Sequence, residues 1–109
     1  MRLSGYRIMW LFTYFDLPVE TKADRKAYTD FRKALLKDGF TMLQYSVYIR
    51  HCPSMESTEA HIRRIEKALP KKGKVSILTI TDKQFELVRN YWGVEHSPSI
   101  CAPQQLEMF

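Results

Sequence analysis

The run from Ile8 to Phe15 (IMWLFTYF), almost unbroken in its apolar and aromatic character and halted at Asp16-Leu17-Pro18, constrains the fold more than any other stretch. A strand buried on both faces shows this pattern, and it reads as a central strand. Thr21-Lys22-Ala23-Asp24 follows with the spacing of a capping box, and Gly39 supplies a stop, so a helix is expected over about Lys22 to Asp38. On that helix Ala27, Phe31, Ala34 and Leu35 cluster as the core stripe, while Lys22, Arg25, Arg32, Lys33 and Lys37 take the opposite arc. Leu36 falls among the basic residues, either as a tolerated exposed side chain or as a contact to another chain.

Phe40 to His51 is rich in β-branched and aromatic residues and longer than a usual strand. It predicts one long bent strand or two strands meeting near Gln44 to Ser46. Pro53 ends it. Ser57 and Thr58 then cap a second helix, about Thr58 to Leu69, with Ile62, Ile65 and Leu69 inward and Arg63, Arg64 and Lys67 outward. A cationic turn, Pro70 to Lys74, leads into a strand at Val75 to Thr81, and Thr81-Asp82-Lys83-Gln84 resembles another short capping motif. Alternation over Phe85 to Trp92 favours a further strand. Residues 94–109 hold Pro98 and Pro103 without periodicity and close on apolar residues, which predicts a linker and a terminus either frayed or docked as an added strand, on this chain or on a partner.

The order β, α, ββ, α, β is that of an α+β, ferredoxin-like βαββαβ sandwich with both helices on one side of an antiparallel sheet. Residues 1–93 are read as this domain, with one additional strand. Its uncovered sheet face carries aromatic residues, and dimerisation is the economical way to cover it.

Charge narrows the partners. Lys and Arg total 17 against 12 acids, a net charge of +5 in 109 residues, which favours anionic partners such as nucleic acid. No apolar run is long enough to cross a membrane and no secretory pattern opens the chain, so a cytoplasmic protein is expected. Cys52 and Cys101 form no CxxC and are expected to be free thiols.

Tyr14-Phe15-Asp16-Leu17-Pro18, Arg25-Lys26, Phe31 to Leu36, Gly39-Phe40 and Gln44-Tyr45-Ser46-Val47-Tyr48, in this order, closely resemble the CRISPR-associated Cas-two family. Lys74 to Phe85 and the closing Gln105 to Phe109 are similar to the versions in type II systems. The resemblance implies a ferredoxin-like homodimer whose C-terminal strand, with Leu106, Met108 and Phe109, extends the partner's sheet. It also implies a bridge between two dimers of the Cas-one integrase that holds double-stranded DNA during spacer acquisition. Some members are described as metal-dependent nucleases, which adds RNA as a further candidate substrate.

Within that frame Asp16 is the catalytic and metal-ligating candidate, an acid at the end of a rigid strand. One carboxylate does not make a site for Mg²⁺ or another divalent cation, but a twofold dimer would bring a second copy. The competing reading is a turn-initiating Asp that caps backbone amides before Pro18. Arg25, Lys26, Arg32, Lys33, Arg63, Arg64, Lys67, Lys71, Lys72 and Lys74 are candidate phosphate contacts, against a plain solvated helix face. Tyr14, Tyr45, Tyr48, Tyr91 and Trp92 would stack on single-stranded bases or serve as core and interface. His51, Cys52, His96 and Cys101 are zinc-type ligands at spacings that match no zinc pattern, and Ser46 reads as structural.

Overall fold

The structure, a computed structural model, describes residues 8–93. Strand β1 (Met9–Asp16) leads through helix α1 (Lys22–Lys37) to strands β2 (Thr41–Gln44) and β3 (Val47–Cys52). Helix α2 (Met55–Lys67), strand β4 (Lys74–Thr81) and the short helix α3 (Asp82–Phe85) follow. The sheet order is β2-β3-β1-β4 with every neighbouring pair antiparallel, so β1 lies inside. This is the expected α+β, ferredoxin-like arrangement. The long extended segment resolves into two strands joined through Tyr45-Ser46, and Gln44 pairs with Val47.

β1 is central but is not buried on both faces. Met9, Leu11, Thr13 and Phe15 are buried beneath the helices, while Trp10, Phe12, Tyr14 and Asp16 alternate onto the opposite face at intermediate or full exposure. The core joins the first set to Phe31 and Leu35 of α1, Ile65 of α2 and Tyr48 and Cys52 of β3. Aromatic residues on both faces give the sequence a doubly buried look. Only one face carries the two long helices, α1 and α2.

The expected cap of α1 is present: the Thr21 hydroxyl accepts from the Asp24 amide at 3.0 Å, and the Asp24 carboxylate accepts from the Thr21 amide at 3.3 Å. Gly39, at φ +89°, reverses the chain after it, and its amide donates to the Leu36 carbonyl at 3.0 Å. Ala27, expected in the core stripe, is exposed. α2 starts earlier than expected because Ser54 caps it, accepting from the Ser57 amide at 3.1 Å. Thr58 lies inside the helix, buried, with its hydroxyl donating back to the Ser54 carbonyl. Leu69 falls past the end of α2 and is 47% exposed.

The strand expected over Phe85 to Trp92 does not form. Thr81 and Gln84 close a capping box that starts α3, and the amides of Glu86, Leu87 and Val88 continue it as turns onto Asp82, Gln84 and Phe85. This carries the Phe85 ring back onto the open sheet face, stacked on Trp10 at 4.0 Å between centroids. The linker, the terminal strand with Leu106, Met108 and Phe109, and His96 and Cys101 all lie outside the described residues. Among the described residues no helix is long and apolar enough to cross a membrane.

Candidate functional site

Asp16 ends β1, and both neighbours fix where it stands. β1 pairs with β3 from Met9 to Tyr14 and with β4 from Met9 to Asp16, so that Asp16 lies opposite Lys74. The turn before β4 closes tightly beneath it. Gly73, at φ +89°, packs so near that a Cβ there would stand 2.6 Å from the Asp16 carbonyl oxygen and 2.7 Å from Leu17 Cδ2. The Asp16 side chain is exposed, and among the described residues it forms no hydrogen bond or ion pair. It does not cap the following turn. It opens instead on a groove of about 320 Å³ lined by Tyr14, Tyr45, Ser46, Lys74 and Ser76.

Mg²⁺ takes about six oxygen ligands, usually with several waters retained. A carboxylate oxygen is the right kind of donor, but among the described residues no three His, Cys, Asp or Glu side chains converge. Among the residues that line the groove Asp16 is the one carboxylate.

Ser46 forms the rim of this groove rather than part of a strand. Its φ of +65° lies in the left-handed region, which costs a non-glycine residue about 1 kcal/mol. Two bonds hold it there: its carbonyl accepts from the Phe15 amide at 3.1 Å, and its hydroxyl pairs with Tyr28 Oη at 2.9 Å. Burial, partly offset by this bond, raises the Tyr28 phenol above its ordinary value and keeps it neutral. Tyr28 in turn carries the Tyr45 ring, stacked at 5.7 Å with 19° between planes. Among the described residues the Ser46 hydroxyl meets Tyr28, and no His, Asp or Glu hydrogen bonds to it.

The candidate cations on the helices, together with Lys72, divide into two groups, while Lys71 and Lys74, before and at the start of β4, have no side-chain ion pair or hydrogen bond among the described residues. Arg25 donates to the carbonyls of Val19 and Glu20, Lys26 pairs with Asp30 at 3.0 Å, and Arg64 lies 3.3 Å from Asp38. Lys72 lies 3.5 Å from Asp24. Burial acts most strongly on Asp24 and pushes its carboxyl up, but the Thr21 hydrogen bonds and Lys72 outweigh it and hold the group below its ordinary value. Arg32 and Lys33 on α1, and Arg63 and Lys67 one turn apart on α2, have no ion pair or hydrogen bond among the described residues. Both helices lie on the same side of the sheet, so these four charges share one face of the molecule.

Sequence reasoning gave His61 no role, yet it is the centre of a buried polar cluster. Arg50 Nε donates to His61 Nε2 at 2.8 Å, and His61 Nδ1 lies 2.6 Å from Asp38 Oδ2. A guanidinium can only donate, so Nε2 accepts from Arg50, which leaves Nδ1 to face the Asp38 carboxylate, with Arg64 Nη1 3.1 Å from the same nitrogen. The cluster ties the end of α1 to β3 and α2. Asp38 and Arg50 are 23 and 11 positions from His61, and no local spacing announces them; Arg64, one helical turn on, is the local member. Cys52 is a free, buried thiol, and burial, the strongest influence on it, raises it above its ordinary value and leaves it protonated and unreactive.

Residues 9–88 match the family described as CRISPR associated protein Cas2. The CRISPR-associated endoribonuclease Cas2 of Flavobacterium psychrophilum is 46% identical over 108 residues, covering 99% of this chain and 94% of that protein. The protein of the same name from Parvibaculum lavamentivorans is 50% identical over 101 residues, covering 93% and 100%. That from Paracidovorax avenae is 50% identical over 107 residues, covering 98% and 99%.

Proposed function

The chain belongs to the CRISPR-associated protein Cas2 family, and from that premise we propose that it is the small homodimeric subunit of CRISPR spacer acquisition. In this reading it bridges two dimers of the Cas-one integrase and holds double-stranded DNA between them without regard to sequence. The observation that carries it is the set of four uncompensated cations, Arg32, Lys33, Arg63 and Lys67, on the helical side of the sheet. Cations spread along helices meet phosphates rather than base edges. The opposite side supports dimerisation: Leu78 is 47% and Tyr14 42% exposed there, a surface that a second copy would cover. Leu106, Met108 and Phe109 are assigned to the partner's sheet edge, and work on chromosomal DNA places the protein in the cytoplasm.

A second reading rests on Asp16 itself. Its unpartnered carboxylate at the end of an interior strand, together with relatives named endoribonucleases, supports a phosphodiesterase in which two copies of Asp16 hold one Mg²⁺ or another divalent cation. The bound ion would polarise the phosphodiester and activate a water. The protein's part is to keep the carboxylate at a fixed height and in an open groove.

Duplex-DNA binding at two salt concentrations tests the first reading. Replacing Arg32, Lys33, Arg63 and Lys67 by Ala should weaken binding equally across unrelated sequences and flatten the salt slope by about 0.9 for each phosphate that is no longer neutralised. An unchanged slope would return these residues to plain solvated surface. Asp16→Ala should abolish Mg²⁺-dependent RNA cleavage while leaving DNA binding and integration intact. Loss of integration with the complex still assembled would overturn the purely scaffolding role.

A further inference from the structure

We infer that Tyr45 is a base-stacking platform that seats an unpaired nucleotide beside Asp16. The inference rests on the phosphodiesterase reading and gives that site a contact for its substrate.

Tyr45 is 74% exposed although it belongs to a tight turn at the end of the sheet. An exposed aromatic ring usually samples several positions, but here one face lies against Tyr28 at 5.7 Å, nearly parallel. The backbone next to it is held as well, because Ser46 is fixed at φ +65° by its bonds to the Phe15 amide and the Tyr28 hydroxyl. At 74% exposure, most of the residue is left to solvent. A ring held on one side and open on the other is arranged to receive a second planar group.

The surroundings specify what kind of group. Tyr45 and Asp16 line one groove with Lys74, Ser76 and Tyr14. Lys74 is exposed and has no ion pair or hydrogen bond among the described residues, so its ammonium is available to a phosphate. A π-face, a cation and a carboxylate in one groove match the base, the phosphate and the reacting end of a single nucleotide. In a duplex both faces of every base are already stacked, so this platform selects unpaired strands. Stacking does not read the sugar, so RNA and DNA strands share the interaction. This surface is distinct from the α1 and α2 cations assigned above to duplex DNA.

The experiment measures binding of a labelled oligouridine by fluorescence anisotropy in EDTA, where cleavage cannot contribute. An oligothymidine and a duplex serve as parallel probes for the wild type, Tyr45→Ala, Tyr45→Phe and Tyr45→Trp. Tyr45→Ala should weaken oligouridine and oligothymidine about 10-fold, in the range produced by losing one base–aromatic stack, with duplex affinity unchanged. Tyr45→Phe and Tyr45→Trp, which keep the ring, should stay within about twofold of the wild type on all three probes. The inference is overturned if Tyr45→Ala binds single strands as the wild type does, if it weakens duplex equally, or if the ring-keeping variants fail with it. Absence of Mg²⁺-dependent cleavage by the wild type would remove the phosphodiesterase reading but not the platform, which the EDTA data judge on their own.

Discussion

The indole of Trp10 donates its Nε1–H to the Asp82 carboxylate at 2.8 Å, across 72 positions of sequence. The same indole stacks on Phe85, three residues beyond that carboxylate. One side chain of β1 thus holds both ends of α3, a helix of four residues that would not persist alone. The arrangement covers part of the sheet face that α1 and α2 leave open.

Phe85, 5% exposed, should therefore contribute more than its place in a four-residue helix suggests. Phe85→Ala is expected to cost about 3 kcal/mol in urea denaturation, and Asp82→Ala about 1 kcal/mol. A loss for Phe85→Ala below about 0.5 kcal/mol, the usual range for surface substitutions, would mean that α3 does not pack on the sheet in solution.

The cluster around His61 predicts a contrast between two residues that both reach it. Asp38→Ala leaves the buried His61 Nδ1 without its carboxylate partner and should cost about 2 kcal/mol. Arg64, whose side chain is 58% exposed, also reaches Asp38, but Arg64→Ala should cost no more than about 0.5 kcal/mol. Equal losses would show that the surface pair, rather than the buried one, joins α1 to α2.

Gly73→Ala tests the support beneath Asp16. The new Cβ would press on the Asp16 carbonyl and Leu17 in a backbone conformation that disfavours any side chain, at a cost of about 2 kcal/mol. Because the strain falls on the end of β1, any Asp16-dependent cleavage should fall further than stability alone explains. Wild-type cleavage from a measurably destabilised Gly73→Ala protein would uncouple the turn from the carboxylate.

Asp24 gives stability a dependence on acid. Its folded-state carboxyl lies below the ordinary value of 3.8, so the stabilisation it provides is present above that value and is lost as pH falls through the folded one. Asp24→Asn should be less stable than the wild type near neutral pH, and the two should converge on acidification well below pH 3.8. A difference independent of pH would assign the cap to geometry rather than charge.

Much of this architecture is legible in the chain itself. The Thr21–Asp24 box, the halt at Asp16-Leu17-Pro18 and the glycine after α1 are local signals, and each marks the element that forms there. α3 escapes such reading because four residues are too few to show a helical period; the Thr81–Gln84 box is visible, but the alternation that follows it outweighs the cap. His61 escapes for the opposite reason: its partners come from a helix end and from β3, and only the fold brings them together. The division of the cations into paired and free sets likewise depends on which acids the tertiary structure delivers, as Lys72 and Asp24 show.

The ladders on both sides of β1 act as a ruler for Asp16. A residue on a loop takes its position from the loop, and any insertion moves it. A residue at the end of an interior strand takes its position from the pairing of the whole sheet, and a slip of one place would turn every β1 side chain to the wrong face. The turn at Leu17 to Thr21 lies beyond the last rung of the ladder, so a change in its length would alter what reaches the carboxylate while the carboxylate stays at the same height.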